Sequence, residues 1–524
     1  MKRLISLLLL FAMGLSLCAC NINIAPVDPV PSTSEETSID VTTPEESTAD
    51  ITTIQSTPEE ESSTPPEQST TPPEETSTIP VGTTTPPVGT TTPPIEETTP
   101  LPSDEKITIV FYHTMGESLR SVLDKYIVEF NKLYPNITIE HKQVGGYDDV
   151  RDQIKTEITV GQQPNIAYCY ADHVAEYNVA QAVATLDDFI ASMETITRAD
   201  GTLEQIGLTQ AQIDDFIDGF LAEGKVYGDD KMYTMPMSKS TEVLYYNKTF
   251  FETHGISVPT TWEEMEQVCE ILKAIDPNCI PLGYDSEANW FITMCEQMNS
   301  PYTSATGNHY LFDNETNRNF VAMFQEWYQK GYVTTQELYG GYTSDLFTRD
   351  PSEVDNCYLC IASSAGANYH RSSFEVGIAT VPQVDSNAPK VISQGPSLCI
   401  FKDSNEAEVL ASWLFVKFLT TSIDFQAEFS MASGYMPVIK SVTENENYAA
   451  WLAKGNGKEY LVAKCVQVGI DGRDDYFVSP VFNGSSTARE QVGKLMLKCL
   501  STDTTDVDKL INDTFKEALQ ECEY

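Results

Sequence analysis

The chain is poor in basic residues. Lysine and arginine number 32 against 77 aspartates and glutamates, for a formal net charge of −45. A field that negative excludes nucleic acid and anionic lipid surfaces as partners. No Lys or Arg lies between Arg3 and Lys106. Histidine is scarce: the 6 present are scattered, and none sits at a spacing that builds a metal site from neighbouring positions. No cofactor or metal is therefore expected. After residue 20 no stretch stays apolar for the length a membrane-spanning helix needs. A nucleophile elbow, HExxH and a phosphate loop are all missing, and the acidic pairs such as Asp148 with Asp149 are what an acidic chain yields by chance.

The extreme N-terminus is different. Lys2 and Arg3 precede residues 4–17, which are apolar apart from Ser6, Gly14 and Ser16. That reads as a signal peptide, residues 1–19. It ends LCAC, which resembles a bacterial lipobox with Cys20 as the lipidated residue; Cys18 fits poorly, because Leu17 would fill the position that takes a small side chain. Residues 20–104 then form a Thr/Pro/Ser/Glu-rich stretch in which residues 81–87 (VGTTTPP) recur at 88–94. Its apolar content is too low to offset the entropy of ordering, so a disordered stalk is expected. At about 3 Å per residue it would extend on the order of 200 Å. Together these features predict a protein held on the extracellular face of the cell membrane through its lipid alone.

Residues 105–524 have the composition of a packed domain. Residues 107–112 alternate as a strand, 118–133 carry apolar side chains at helical spacing, and 137–141, 150–160 and 165–170 continue as strand, helix and strand. That βαβαβ start predicts an α/β fold of doubly wound type, with ligands at the C-terminal strand ends. Further helices are expected at 262–274, 316–330, 405–421, 423–432, 488–497 and 504–521, and strands at 232–237, 242–247, 357–362, 376–381 and 397–401. Ten cysteines follow Cys20; export permits disulfides among them, though a large core does not need any, and Cys357 and Cys360 of CYLC read as small core side chains.

Four segments in order carry a family resemblance. They are 107–115 (ITIVFYHTM) with its helix ending at 130–136 (FNKLYPN), and 235–248 (MPMSKSTEVLYYNK) followed by 259–264 (PTTWEE). Then come 361–366 (IASSAG) leading to 377–382 (GIATVP), and 413–419 (WLFVKFL) leading to 434–438 (GYMPV). The chain resembles bacterial extracellular solute-binding proteins of the family serving sugar-type ABC importers. Within it, the chain is most similar to glycerol-3-phosphate-binding components, through 111–115, 146–147, 240–247 and 362–364. The resemblance implies a periplasmic-binding-protein-like fold of type II: two doubly wound α/β lobes joined by a hinge. Lobe 1 would take about 105–240 and 397–430, and lobe 2 about 243–385 and 434–524. It also implies a monomer that captures a sugar, oligosaccharide or glycerophosphate and delivers it to membrane permease subunits, with no catalysis. A surface sensor, a polysaccharide-binding adhesin on the same fold and a glycoside-acting enzyme are the alternatives.

By position, the resemblance carries a ligand-binding role onto Tyr147, Ser240, Trp290, Ser364, Gly395, Tyr435 and Arg489, while Asp172 stands where those proteins use Glu, and Lys239 and Gln394 depart from their pattern. Trp290 offers either a flat face to a polyol or a core side chain, and Tyr435 a stacking or hydroxyl contact or a core aromatic. Asp172 is either a hydroxyl acceptor or a loop cap. Ser363 and Ser364 end a strand and suit a cradle of hydroxyls and N–H groups. Residues 483–487 (NGSST) either cap a helix or aim N–H groups, with Arg489, at a phosphate. His113, at the end of the first strand, is expected to hydrogen-bond the ligand.

Overall fold

The computed structural model describes residues 105–523 apart from 351, 404 and 455–457. The expectations for the signal peptide, for Cys20 and for the stalk fall outside the described residues. No helix among the described residues is long and apolar enough to cross a membrane.

Ten short strands build two mixed sheets. In chain order they are β1 (Ile107–His113), β2 (Ile137–Gln143), β3 (Ile166–Cys169), β4 (Thr234–Pro236), β5 (Glu242–Asn247), β6 (Leu282–Tyr284), β7 (Val333–Thr335), β8 (Leu359–Ser363), β9 (Val376–Thr380) and β10 (Ser397–Ile400). The first sheet runs β2-β1-β3-β10-β4 and the second β9-β5-β8-β6-β7. β1 pairs parallel with both β2 and β3, and β10 closes that sheet antiparallel against β3 and β4. In the second sheet β6 is parallel to β7 and β8, whereas β5 runs antiparallel to β8 and β9. The order reverses direction at β1, which opens a crevice at the carboxyl ends of the strands.

Alternation along each strand sorts side chains to two faces. Ile107, Ile109 and Phe111 of β1 enter a core with Leu123 and Phe130 of the helix Glu117–Leu133 and Trp413 and Phe415 of the helix Glu406–Thr421. Tyr112, one residue on, joins Val150, Ile154, Val174 and Tyr177 on the opposite face. β5 and β8 divide likewise. Leu244, Leu359 and Ile361 pack with Trp262, Trp290, Phe324 and Trp327. Tyr245, Cys360 and Ala362 instead join the first core, which continues through Met436, Val438, Tyr448 and Val462. One apolar core thus runs behind both sheets. Helix termini obey local chemistry: Thr261 and Glu264 form a reciprocal capping box at the helix Trp262–Ile275.

Three crossing segments join the sheets. Ser240 and Gln394 exchange N–H donations to each other's carbonyl at 2.9 and 2.8 Å. Lys239 and Met436 do the same at 3.1 and 2.6 Å. Gly395 lies at φ +97, and a Cβ there would meet the Ser238 carbonyl oxygen at 2.6 Å and Lys239 Cα at 2.8 Å. Only glycine fits that approach at little cost. Behind the crossing, Lys239 is fully buried and its Nζ lies 2.8 Å from Glu223.

Candidate functional site

Two hollows meet between the strand ends of the two sheets. The larger, about 580 Å³, is walled by Tyr147, Tyr170 and Tyr435 on one side and by Glu242, Asp285, Asn289, Ser363 and His370 on the other. The smaller, about 80 Å³, is lined by Asp172, Glu223, Tyr302, Ser393 and Ser485 among others. Tyr170, Gln394 and Arg489 line both, so they form one cleft.

The tyrosines form a face. Tyr147 and Tyr170 stack with ring centroids 4.4 Å apart, and Tyr342 and Tyr369 stand exposed at the rim. The buried Tyr147 hydroxyl lies beside that of Tyr435 and interacts with it, and a hydroxyl so engaged keeps hydrogen-bonding capacity for a solute. Opposite lies a polar relay. Arg489 donates to the side-chain carbonyl of Asn289. The Asn289 amide donates to Glu242 Oε1 at 2.9 Å, and the Tyr284 hydroxyl donates to Oε2 at 2.7 Å. Burial pushes the Glu242 carboxyl up to about 7, against the pull of Tyr284, Asn289 and Arg489. Arg489 sits one turn into the helix Ser485–Ser501, which begins after Gly484 at φ +112. The Ser485 N–H donates to the Phe482 carbonyl oxygen at 3.0 Å, and the positive end of the helix dipole together with the guanidinium makes an anion-accepting corner.

Five of the residues singled out in the sequence lie at the cleft: Tyr147, Ser240, Tyr435 and Arg489 in the larger hollow, Asp172 in the smaller. Asp172 also accepts from the N–H of the next residue, His173, at 3.0 Å in the first turn of the helix Ala171–Val179, and it does not cap that helix. Four are placed elsewhere. Trp290 is fully buried in the second-sheet core, stacked on Tyr284 with centroids 4.9 Å apart and packed on Phe324. It shares the helix Glu287–Gln297 with Asn289, and the next residue round a helix points about 100° away; Asn289 takes the cleft face and Trp290 the core face. His113 is buried with both ring nitrogens engaged: the Met115 N–H donates to Nδ1 at 3.1 Å, and Nε2 lies 2.8 Å from His141 Nδ1. Burial holds it down to about 3. Ser364 is buried too, its hydroxyl accepting from the Thr241 N–H at 3.2 Å, and its neighbour Ser363 lines the cleft instead. Gly395 belongs to the crossing segments.

Sequence reasoning missed Tyr170, Glu242, Asp285, Tyr342 and Tyr369 and named Gln394 only as a departure. Glu242 carried a usable signal, since a carboxylate opens an otherwise apolar strand (EVLYYN). Asp285 and Tyr342 stand on loops and Tyr369 in the 3-10 turn Ser364–His370, with no local sequence pattern to mark them.

The comparisons agree with this architecture. The sequence model of bacterial extracellular solute-binding proteins matches residues 125–455. The sn-glycerol-3-phosphate-binding periplasmic protein UgpB of Rhizobium meliloti (strain 1021) is 28% identical over 246 residues, covering 44% of this chain and 55% of that one. That of Escherichia coli (strain K12) is 23% identical over 378 residues, covering 67% and 79%. Among solved structures, UgpB from Mycobacterium tuberculosis in complex with glycerophosphocholine superposes with a TM-score of 0.63 at 18% identity, over 79% of this chain and 98% of that one. The GacH receptor of Streptomyces glaucescens, solved unliganded and with acarbose, gives 0.63 at 15%, over 80% and 99%. At those identities the structures speak for the fold, that of the type II periplasmic sugar-binding proteins. The chain belongs to the bacterial extracellular solute-binding protein family, whose members bind solutes outside the cytoplasm.

Proposed function

We propose that this protein captures a glycerophosphodiester reversibly in the cleft and hands it to an ABC permease, tethered to the membrane through lipid on Cys20. The observation that carries the reading is the charge pattern of the walls. Arg489 is the single cation among the lining residues, at a helix N-terminus, and it faces a cleft that also holds Asp172, Glu223, Glu242, Asp285 and Asp345. One guanidinium suits the single negative charge of a phosphodiester. A phosphomonoester dianion would add a second charge beside Asp172, Asp285 and Asp345, in a cleft where Glu223 is already paired with Lys239 and burial lifts the Glu242 carboxyl. The tyrosines and carboxylates of the larger hollow suit the other end of such a solute. A glycerol moiety finds acceptors and C–H contact there, and a quaternary ammonium finds ring faces. The relative solved with glycerophosphocholine supports the same class. A ligand touching both walls stabilises the closed arrangement by its differential affinity, which gives the permease a shape to recognise.

Calorimetry with glycerophosphocholine, glycerol 3-phosphate and maltose tests this. Glycerophosphocholine should bind most tightly, and Arg489→Ala should weaken it by about 1.5–3 kcal/mol, the worth of a hydrogen bond to a charged group. Tight binding of maltose that Arg489→Ala leaves unchanged would replace this reading with capture of a neutral sugar.

A further inference from the structure

A second chemical cluster stands in the wall of the larger hollow. The donor atoms of Asp285, Cys360 and His370 all lie within 4.8 Å of one another. Cys360 projects from the central strand β8, Asp285 follows β6 directly, and His370 ends the 3-10 turn Ser364–His370. Two independent contacts orient the imidazole. Its Nδ1 lies 2.9 Å from the Gly366 carbonyl oxygen, and the ring stacks flat on Tyr245 at 3.7 Å. A carbonyl only accepts, so Nδ1 carries the hydrogen and the Nε2 lone pair faces Cys360 Sγ, 3.3 Å away. The carboxylate is held as firmly. The Thr343 N–H and hydroxyl both donate to Asp285 Oδ1 at 2.7 Å, with Oδ2 as its second oxygen.

The geometry points to a binding site for a zinc-class divalent cation, held by Cys360 Sγ, His370 Nε2 and a carboxylate oxygen of Asp285, with a fourth position open to the cleft. A tetrahedral zinc ion with S and N ligands at about 2.3 and 2.0 Å sets those two atoms about 3.5 Å apart, and the observed 3.3 Å needs little adjustment. One sulfur, one imidazole and one carboxylate suit zinc or cobalt and not the all-oxygen shells of magnesium or calcium. Thiolate and carboxylate together match the charge of the dication in a buried setting. The Gly366 carbonyl and Thr343 act as outer partners that fix ligand orientation. Binding releases the thiol proton to solvent, and the ion then offers its fourth position to water or a solute hydroxyl. The site does not depend on which solute the cleft captures.

Titration of the folded full chain with Co²⁺, followed by Zn²⁺ displacement, tests the site without any solute. One equivalent of Co²⁺ should give a thiolate-to-cobalt charge-transfer band that Zn²⁺ abolishes. Cys360→Ser should remove the band, Asp285→Asn should weaken Co²⁺ binding at least tenfold, and Cys357→Ser, which alters a neighbouring buried thiol, should leave both unchanged. If Cys360→Ser does not fold, the half-buried Asp285 variant decides. Absence of the band in the wild type, or its persistence in Cys360→Ser or at full affinity in Asp285→Asn, overturns the site.

Discussion

Replacing Glu242 with glutamine should change how stability depends on pH, by an amount the structure sets. Glu242 is 3% exposed, at the start of a central strand. Burial lifts its carboxyl from 4.5 to about 7. Below pH 4.5 the group is protonated in folded and unfolded chains alike. Between there and about pH 7 the unfolded chain loses the proton and the folded one keeps it. Stability from this group therefore falls as pH rises and levels off above the folded value. A gap of that size is worth about 3 kcal/mol at 1.36 kcal/mol per unit. Other buried groups act in the opposite direction. His113, held down to about 3, and His173, also lowered by burial, leave protons to the unfolded chain as pH falls below its ordinary imidazole range. The raw profile mixes both effects, and only the difference between wild type and Glu242→Gln isolates the carboxyl. Urea unfolding of both, in chelator, should show that difference moving in favour of the variant by about 3 kcal/mol from roughly pH 4.5 to 7.5. A constant offset over that range would mean that Glu242 is ionised throughout, and the account of its burial would be wrong.

Trp290→Ala should destabilise the fold by about 3–5 kcal/mol in the same assay. Trp290→Phe should cost much less, because the indole N–H is buried with no acceptor among the described residues. Solute affinity of the folded Trp290→Phe protein should match wild type by calorimetry, and a selective loss of affinity would return Trp290 to the cleft. Lys239→Met leaves Glu223 as an uncompensated charge and should cost about 3–5 kcal/mol, and adding Glu223→Gln should recover most of it. Equal losses in the single and double variants would show that the pair contributes through packing alone.

Much of the fold was legible because burial imposes a period. The apolar residues of 118–133 repeat every three or four positions, and that helix appears as Glu117–Leu133. Strand 242–247 appears with those bounds because Asn247 caps the following helix, its side chain accepting from the Phe250 N–H. The site was less legible, for a different reason in each case. Asn289 and Trp290 are neighbours in sequence, and only the helix phase against the core decides which meets the cleft. Ser363 and Ser364 alternate across a strand end, so a one-residue difference exchanges a cleft hydroxyl for one spent on Thr241. His113 sits at a strand end that faces the crevice, yet His141 from the adjoining β2 takes its second nitrogen, and that pairing appears only once the sheet register is known. Asp285, Cys360 and His370 converge from separate loops and a strand, and no spacing in the chain announces them.

The apolar core that continues behind both sheets bears on inheritance as well as on stability. Helices from the C-terminal third fill the seam, so each half of the molecule borrows side chains from the other to complete its interior. A lobe excised as a gene fragment would expose Met436, Val438, Tyr448 and Val462 to water. The halves are therefore poor candidates for exchange between relatives by recombination at the crossing segments. New solute preferences are more readily acquired by changing residues of the walls, such as Gln394 or Tyr170, than by shuffling lobes.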